Sequence, residues 1–428
     1  MTFWTSLYNL IGIPLLYIGF MIASLFSPKI RRGIQARKSL FQDLEKALRN
    51  FPKNAFRFWI HSSSMGEFEQ AKPLIRYLKK IYPESRIIIS LFSPSAYDYV
   101  HDYQEADCVC CLPFDFRKNA KRFVHLIHPN IAIMVRHDLW PNHLRQVKKQ
   151  DIPCILINAS IHSVRAKPNL LNRPLFRFLY GYFDAIFTVS SEAKNYFQSL
   201  LPEHVKIEMV GDTRYDQVLH RAAEAEKIVA PLREMKGRRM GFVMGSTWPS
   251  DEAVLLDALA KLFNQGVRPW TVLVPHEPKE DHIKKIQNEL DHLDLNYCRF
   301  SEVQKNPKRG VDILIVDRIG ILASLYALGE LSYVGGGFGP GIHNVLEPAA
   351  LGKIVLFGPK HTNSYEAIQL VKQGVGLAIQ NAEELFNYLN SHLNDPVEMK
   401  RLGKAAEALV HENKGATQRI VHGFKEYI

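Results

Sequence analysis

Short apolar runs alternate with longer amphipathic segments along two stretches of the chain. In the first stretch, the runs that predict buried strands are Phe58–Ser62, Arg86–Leu91, Cys108–Leu112, Ile131–Val135, Cys154–Asn158, Ile186–Val189 and Ile207–Val210. Apolar residues at helical spacing lie between most of them, as in Phe68–Lys80 and Asn119–Ile127. Such alternation of strand and helix predicts a parallel sheet with helices on both faces.

A long polar segment rich in Ala and Glu, Tyr215–Lys236, separates this stretch from a second one. The second stretch repeats the alternation, with apolar runs at Gly241–Met244, Thr271–Val274, Ile313–Val316, Leu331–Val334 and Ile354–Phe357. We therefore predict an α/β domain at residues 29–215, a helical linker at 216–238, a second α/β domain at 239–396 and a helical segment at 397–428. A chain of 428 residues that is 46% hydrophobic can bury two such cores.

The amino-terminal segment is uncharged and mostly apolar. No charged residue precedes Lys29, and Leu7–Phe26 is about as long as a bilayer-spanning helix. A secretory signal places positive charge before its apolar core, whereas here the basic residues follow it. By the positive-inside rule, the rest of the chain would remain in the cytoplasm. We predict that residues 1–28 form an inner-membrane anchor, either a single span or a helix lying in the interface.

The formal net charge of +11 favours anionic partners. No zinc-finger spacing, RNA-binding signature or basic tail is present, so an anionic membrane surface is a simpler partner than nucleic acid. The five cysteines are odd in number and have no His or Cys partners at zinc-site spacing. They predict neither a disulfide framework nor a structural metal site.

The glycine-rich segment that follows Leu331–Val334 carries the strongest chemical signal. Five glycines lie within Gly335–Gly341, and a predicted helix with His343, Asn344 and Glu347 follows. Glycines allow a backbone to approach a ligand closely, and the start of a helix offers N–H donors to an anion. Asn344 and Glu347 are three residues apart and would share one helical face. An ordinary strand–turn–helix corner is the alternative interpretation.

Further loops follow strands of the second domain, where ligands bind in open α/β sheets. The predicted ligand-binding residues of these loops are Gly245, Ser246, Thr247, Pro275, His276, Arg318, Ile319, Gly320, Gly336, Gly337, His343, Asn344 and Glu347. Together they indicate an anionic ligand that carries hydroxyl groups. No Asp-x-Asp pair occurs in the sequence, so we predict neither a metal nor a cofactor.

Several motifs resemble, in the same order, those of 3-deoxy-D-manno-octulosonic acid (Kdo) transferases of Gram-negative bacteria. Besides Gly335–Gly352, they are HSSSMGEFEQAKPLI (His61–Ile75), LWPN (Leu139–Asn142), GDTRYD (Gly211–Asp216), GSTWPSDE (Gly245–Glu252) and FGPKHTN (Phe357–Asn363). The resemblance implies a GT-B-like fold, in which two doubly wound Rossmann-like domains face a cleft. It also implies that the ligand-binding loops of the second domain bind the CMP-sugar donor. It also implies a membrane-associated, inverting glycosyltransferase that moves Kdo from CMP-Kdo to a lipid A precursor on the cytoplasmic face of the inner membrane.

The resemblance assigns proton abstraction from the acceptor hydroxyl to Glu67. From the sequence alone, Glu67 is also a favourable charge in the first turn of a helix. The predicted acceptor-binding residues are Ser63, Ser64, Gly66, Lys72, Arg76, Arg136 and Asp138. Lys72 and Arg76 share a helical face that would meet lipid phosphates or remain solvated.

Some positions depart from the family pattern. Many members carry glutamates where Arg136 and Asp138 stand, and a more usual arginine is replaced by His276. Arg136 would instead bind an acceptor phosphate or the Kdo carboxylate. Two other functions remain open: a sugar-nucleotide epimerase of the same architecture, and a non-catalytic protein that binds sugar nucleotide or lipid.

Overall fold

The structure, a computed structural model, describes residues 3–136, 139–161, 173–303, 310–393 and 395–428. The chain forms two compact units. The first comprises Met1–Gln217 and Lys414–Ile428, and the second comprises Val218–Asn413. Each unit contains a seven-stranded sheet in which every pair of neighbouring strands is parallel.

The sheet of the first unit has the order β3-β2-β1-β4-β5-β6-β7. Its strands are β1 (Arg57–Ser62), β2 (Arg86–Leu91), β3 (Cys108–Cys111), β4 (Ile131–Val135), β5 (Cys154–Ala159), β6 (Ala185–Thr188) and β7 (Lys206–Met209). Phe58 of β1 pairs with Ile87 on one side and with Ile131 on the other. The strand order therefore reverses between β1 and β4, as in a doubly wound fold.

Both faces of this sheet are covered. Phe58 and Ile60 belong to one buried cluster, whereas Trp59 belongs to another. Successive side chains of a strand point to opposite faces, and a parallel sheet buries both of them. The helices of the first unit are α1 (Phe3–Leu7), α2 (Ile13–Phe26), α3 (Pro28–Ala36), α4 (Leu40–Leu48), α5 (Met65–Ile81), α6 (Pro94–Val100), α7 (Arg117–Ile127), α8 (Pro141–Lys149), α9 (Arg173–Tyr180) and α10 (Ser191–Leu200).

The sheet of the second unit has the order β10-β11-β9-β8-β12-β13-β14. Its strands are β8 (Gly241–Thr247), β9 (Trp270–Pro275), β10 (Tyr297–Arg299), β11 (Ile313–Ile315), β12 (Leu331–Val334), β13 (Ile354–Phe357) and β14 (Gly376–Ala378). Here the order reverses between β8 and β12. The helices are α12 (Pro249–Asn264), α13 (Glu280–His292), α14 (Phe300–Val303), α15 (Leu322–Leu325), α16 (Leu346–Ala350), α17 (Tyr365–Lys372), α18 (Ala382–His392) and α19 (Pro396–Glu412).

The chain passes between the two units twice, and each passage involves a helical segment. Helix α11 (Thr213–Lys236) begins in the first unit and continues into the second. After α19 the chain returns to the first unit as α20 (Ala416–Gly423). Within that unit, the Asp216 carboxylate accepts hydrogen bonds from the N–H groups of Gly415 and Thr417, at 2.6 and 2.8 Å. These bonds tie the returning segment to the start of α11.

The amino-terminal helix is the one helix in the described part of the chain that is long and apolar enough to cross a membrane. It covers Phe3–Phe26 and consists of α1, a π-helical turn at Tyr8–Gly12, and α2. Its length and composition agree with the predicted anchor.

Candidate functional site

The loops predicted to bind a donor lie at one edge of the sheet in the second unit. Strands β11, β9, β8 and β12 are adjacent and parallel, so their carboxyl ends lie side by side. From these ends come Arg318, Ile319 and Gly320 after β11, Pro275 and His276 at β9, Gly245, Ser246 and Thr247 at β8, and Gly336 and Gly337 after β12. The fold thus brings most of the predicted donor residues to one place.

The turns after β8 and β12 touch through their backbones. An ideal Cβ added to Gly335 would lie 2.1 Å from the carbonyl oxygen of Ser246. One added to Gly337 would lie 2.4 Å from the backbone nitrogen of Gly358. Ser246 itself has a left-handed φ of 53°. Glycine is therefore required at positions 335 and 337 by close packing within the unit.

A buried carboxylate holds the glycine-rich loop. Asp251, fully buried near the start of α12, accepts hydrogen bonds at Oδ2 from the N–H groups of Trp248 (2.9 Å) and Gly336 (2.8 Å). Its Oδ1 accepts from the Tyr333 hydroxyl (2.8 Å) and the Phe338 N–H (3.2 Å). The Gly336 and Phe338 N–H groups therefore donate to Asp251, and an anionic ligand would need other hydrogen-bond donors.

The helix behind this loop begins later than the sequence predicts. Helix α16 starts at Leu346, so His343 and Asn344 precede it. The Asn344 side-chain oxygen accepts from the Leu346 N–H at 3.1 Å. The expectation that Asn344 and Glu347 share a helical face is wrong, because the asparagine bonds locally to the backbone instead of continuing the helix.

Three aromatic rings gather beside the same strand ends. The centroids of Trp248 and His276 are 4.8 Å apart at an interplanar angle of 20°, and those of His276 and His343 are 4.4 Å apart at 22°. The indole Nε1 of Trp248 lies 3.0 Å from Nε2 of His343. Because an indole N–H can only donate, the histidine nitrogen facing it accepts and carries no proton. His343 is thereby held in its neutral form.

A cavity of about 550 Å³ opens beside His276. It is lined by His276, Glu277, Pro278, Lys279, Asp317, Arg318 and Ile319. Three of these, His276, Arg318 and Ile319, are predicted donor residues. The Arg318 guanidinium also lies 6.0 Å from the centroid of the Phe300 ring. The volume is within the usual range for a small-molecule site.

The carboxylate of Glu347 is paired with a basic side chain. Its Oε1 lies 3.0 Å from Nη1 of Arg221, and its side chain is only 14% exposed. Arg221 lies on α11, in the segment that the sequence predicts to be a linker. The Glu347 carboxylate is therefore one half of an ion pair, which the sequence did not predict.

Thr247 has a structural role at the end of β8. Its buried hydroxyl donates to Oε1 of Glu252 at 2.8 Å, and Oε2 of Glu252 lies 2.8 Å from Nε2 of His282. Burial raises the pKa of the Glu252 carboxyl, and the bonds from His282 and Thr247 oppose that effect. This cluster fixes β8 to α12 and α13, and it commits the Thr247 side chain to the protein interior.

In the first unit, Glu67 forms a capping box. Ser64 is the N-cap of α5, and its hydroxyl accepts from the Glu67 N–H at 3.3 Å. Oε2 of Glu67 accepts from the N–H groups of Ser63 (2.7 Å) and Ser64 (3.0 Å). These contacts establish the helix-capping role that the sequence left open, and proton abstraction by Glu67 remains a proposal.

Polar groups without partners lie next to this cap. The buried hydroxyl oxygens of Ser62 and Ser63 have no hydrogen-bond partner among the described residues. A Cβ added to Gly66 would meet no atom within 4 Å, so packing of the chain does not require glycine there. Buried hydroxyls are ordinarily satisfied, which makes this corner a candidate for ligand contact.

Lys72 and Arg76 belong to an internal network. Nζ of Lys72 lies 2.7 Å from Oε1 of Glu69. Gln217 donates to Oε2 of Glu69 at 2.8 Å and accepts from Nη2 of Arg76 at 2.5 Å. The two basic side chains are thus held in a polar cluster between α5 and α11, and their contact with acceptor phosphates remains a prediction.

Strand ends in the first unit carry strained backbone. Arg136, after β4, has a φ of 65°, and Asn158, at the end of β5, has a φ of 54°. Non-glycine residues seldom adopt this conformation, and it occurs often at functional sites. Asp138, which the sequence predicts to act beside Arg136, lies outside the described residues.

A buried network of amide and hydroxyl side chains at these strand ends was not predicted from the sequence. Asn158 Nδ2 donates to the hydroxyl of Thr213 (2.7 Å) and to Oε1 of Gln70 (3.2 Å). The Thr213 hydroxyl donates to the backbone oxygen of Gln70 at 2.7 Å. The network joins β5, α5 and α11, and the only signal for it is that Gln70 and Thr213 lie within two of the shared motifs.

The comparisons by sequence point to one family. Residues 32–217 match the family described as 3-deoxy-D-manno-octulosonic-acid transferase (kdotransferase). The 3-deoxy-D-manno-octulosonic acid transferase of Haemophilus influenzae is 26% identical over 432 residues, covering 100% of this chain and 98% of that protein. A bifunctional glycosyltransferase/methyltransferase of Fusobacterium nucleatum is 29% identical over 377 residues. That alignment covers 85% of this chain but only 56% of the longer protein.

Solved structures share the fold. The UDP-GlcNAc 2-epimerase of Neisseria meningitidis has a TM-score of 0.61 at 15% identity, covering 87% of this chain and 100% of that one. A glycosyltransferase of Rickettsia africae has a TM-score of 0.55 at 14% identity, covering 87% and 99%. With the two doubly wound sheets, these likenesses confirm the predicted GT-B-like class and say nothing about the substrate.

Proposed function

Because the chain belongs to the Kdo transferase family of glycosyltransferases, we propose that it transfers Kdo from CMP-Kdo to a lipid A precursor. The site would lie at the cytoplasmic face of the inner membrane. The positions of the shared motifs in the fold support the proposal most directly. In each unit they supply residues at the carboxyl ends of central strands, where the fold class binds its ligands.

The second unit is proposed to bind the donor. The cavity beside β9 and β11 offers the cation Arg318, which suits the phosphate of CMP or the carboxylate of Kdo, whereas Lys279 is paired with Glu277 at 2.5 Å. The stacked rings of Trp248 and His276 lie near the same strand ends. A monophosphate leaving group gathers modest charge, and positioned donors of this kind can stabilise it as the glycosidic bond breaks.

The first unit is proposed to supply the base. In an inverting transfer, the acceptor hydroxyl oxygen attacks the anomeric carbon of Kdo as the bond to the CMP phosphate oxygen breaks. The hydroxyl proton passes to a carboxylate, for which Glu67 is the candidate. The two backbone N–H groups that bind Oε2 of Glu67 would keep the carboxylate in place during the proton transfer. The hydroxyls of Ser62 and Ser63, buried nearby without a partner among the described residues, are proposed to contact substrate.

Incubating the full-length protein with CMP-Kdo and lipid A precursor in mixed micelles tests the proposal. We expect the lipid to gain the mass of at least one Kdo and CMP to be released in equal amount. A parallel incubation with UDP-GlcNAc should leave that sugar unchanged. Epimerisation of UDP-GlcNAc without lipid modification would identify an epimerase, and donor binding without turnover would identify a binding protein. Either result would reject the proposed transfer.

A further inference from the structure

We propose that the helix Phe3–Phe26, here called the anchor helix, lies in the plane of the membrane interface and does not cross the bilayer. The inference deepens the membrane association proposed above. It rests on how this helix is attached to the first unit, and it does not depend on which sugar the protein transfers.

Polar side chains attach the amino-terminal half of the anchor helix to a buried site. The Tyr8 hydroxyl donates to Oδ2 of Asp115 at 2.9 Å, and Asp115 is fully buried. The amides of Asn9 and Asn142 exchange two hydrogen bonds, at 3.2 and 2.9 Å. Tyr8 and Asn9 lie in the π-helical turn, a distortion that is frequent at functional positions. Groups that would be costly in lipid are therefore used for docking.

Aromatic packing continues the attachment along the carboxyl-terminal half. The Tyr17 ring lies 5.0 Å from Phe114 and 5.4 Å from Phe116, measured between centroids. The Phe20 ring lies 5.5 Å from Phe92. These edge-to-face contacts are of the kind that stabilises protein cores. The docked face thus extends from Tyr8 to Phe20.

This docking conflicts with a transmembrane orientation. At 1.5 Å per residue, the docked stretch is roughly 18 Å long, more than half of the hydrocarbon thickness of about 30 Å. A crossing helix would draw the adjacent parts of the first unit to the same depth. Those parts include the exposed Arg117 and Lys118, which directly follow Phe116. Charged groups and irregular backbone of a folded domain are not tolerated in lipid.

The opposite face of the anchor helix is an apolar stripe. The exposed large apolar side chains of the helix are Phe3, Leu7, Leu10, Ile11, Leu15, Leu16, Ile18, Met21, Ile22, Leu25 and Phe26. Their exposure reaches 71% at Phe3, 78% at Leu10 and 69% at Leu25, so the stripe extends along the whole helix. An apolar face of this length, with the other face docked on protein, fits an interfacial helix.

Basic residues at the end of the stripe favour binding to an anionic surface. Lys29, Arg31 and Arg32 of α3 are exposed. The Arg31 guanidinium binds the carbonyl oxygens of Ser24 and Leu25, at 3.1 and 3.0 Å, which places its charge beside the last turn of the anchor helix. The partner we infer is a bilayer containing anionic phospholipid, with the stripe in its interface and these cations among the headgroups.

Spin labels on full-length protein bound to phosphatidylglycerol-containing vesicles test the orientation. Cysteines introduced singly as Phe3→Cys, Leu15→Cys and Leu25→Cys would carry the label, and the five native cysteines are buried. Depth follows from the accessibility of each label to oxygen and to a water-soluble nickel chelate. We expect all three labels at one shallow depth, about 5–10 Å below the headgroups.

Two results would overturn the inference, and they differ from each other. A label at Leu15 near the bilayer centre, with those at Phe3 and Leu25 near its surfaces, would establish a crossing helix. All three labels in water would reject membrane association by this helix altogether. Binding to vesicles of zwitterionic lipid alone should be weaker, and equal binding would reject the role of the basic residues. None of these outcomes depends on the sugar-transfer assay.

Discussion

The surroundings of His343 determine the protonation state of its imidazole ring. Trp248 donates to its Nε2, burial lowers the pKa of the imidazole, and the neighbouring His276 lowers it further, while Asp251 opposes both effects. A protonated ring would lose the Trp248 bond, because both groups would then be donors. The neutral ring is thus part of the folded arrangement around the glycine-rich loop.

Acid should therefore destabilise the protein through His343. With its folded pKa below the ordinary value of 6.5, this histidine contributes stability above that pH, and the contribution is lost as pH falls through the folded pKa. His343→Gln keeps an acceptor for Trp248 but does not titrate. We expect the wild-type melting temperature to fall more than that of the variant between pH 7.5 and 5.5. Parallel curves would show that His343 has no part in the acid response.

Arg318 is the predicted donor residue whose role is most directly testable by substitution. It lines the cavity and is exposed, so its removal should leave the fold intact. If the guanidinium binds the phosphate or carboxylate of the donor, Arg318→Ala should weaken CMP-Kdo binding by about 1.5–3 kcal/mol, roughly tenfold to hundredfold. Calorimetry measures this loss. Arg238→Ala, at another exposed arginine of the same unit, should bind normally. Equal affinities would exclude Arg318 from the site.

The glycine-rich loop and helix α12 form a single structural element through Asp251. The sequence indicates both parts as motifs, yet their connection is invisible in it, because a carboxylate at the third residue of a helix is a common cap. Only the fold reveals that Asp251 also accepts from Gly336, Phe338 and Tyr333. The loop is therefore held in position by a buried anion within the protein.

Asp251→Asn should destabilise the second unit and displace the loop. An amide replaces one acceptor oxygen with a donor, so at least one N–H or O–H would lose its partner, at about 1–3 kcal/mol each. Urea unfolding should report this loss, and affinity for CMP should fall with it. Asp257→Asn, on the same helix, breaks an exposed pair with Lys261 and should cost at most a few tenths of a kcal/mol. Equal stability of the two variants would contradict the anchoring role.

For the molecule as a whole, periodicity predicted the two parallel sheets because long central strands bury both faces. Strands β10 and β14 were missed, since each has three residues and lies at a sheet edge. The placement of the donor loops at the carboxyl ends of strands followed from the strand–helix alternation. The contacts of Trp248, Arg221 and Asp251 did not, because they join residues far apart in sequence. The docked face of the anchor helix was hidden for the same reason.

Glu67 is where the fold and the proposed chemistry meet, since one carboxylate would both cap α5 and accept a proton. The two roles separate chemically. A capping box accepts Gln as well as Glu, whereas an amide is not a base. Glu384 provides a matched control. It is the corresponding residue of α18, where its N–H donates to Asn381 and its Oε2 accepts from the Gln380 N–H at 2.8 Å.

The rate of Kdo transfer by Glu67→Gln is the most direct measurement of the proposed mechanism. We expect this variant to keep its melting temperature and its affinity for CMP, while the transfer rate falls by about 10²–10⁴-fold. Glu384→Gln should transfer Kdo at the wild-type rate. Near-normal transfer by Glu67→Gln, with the wild type active in the same assay, would contradict the account and leave Glu67 as a helix cap alone.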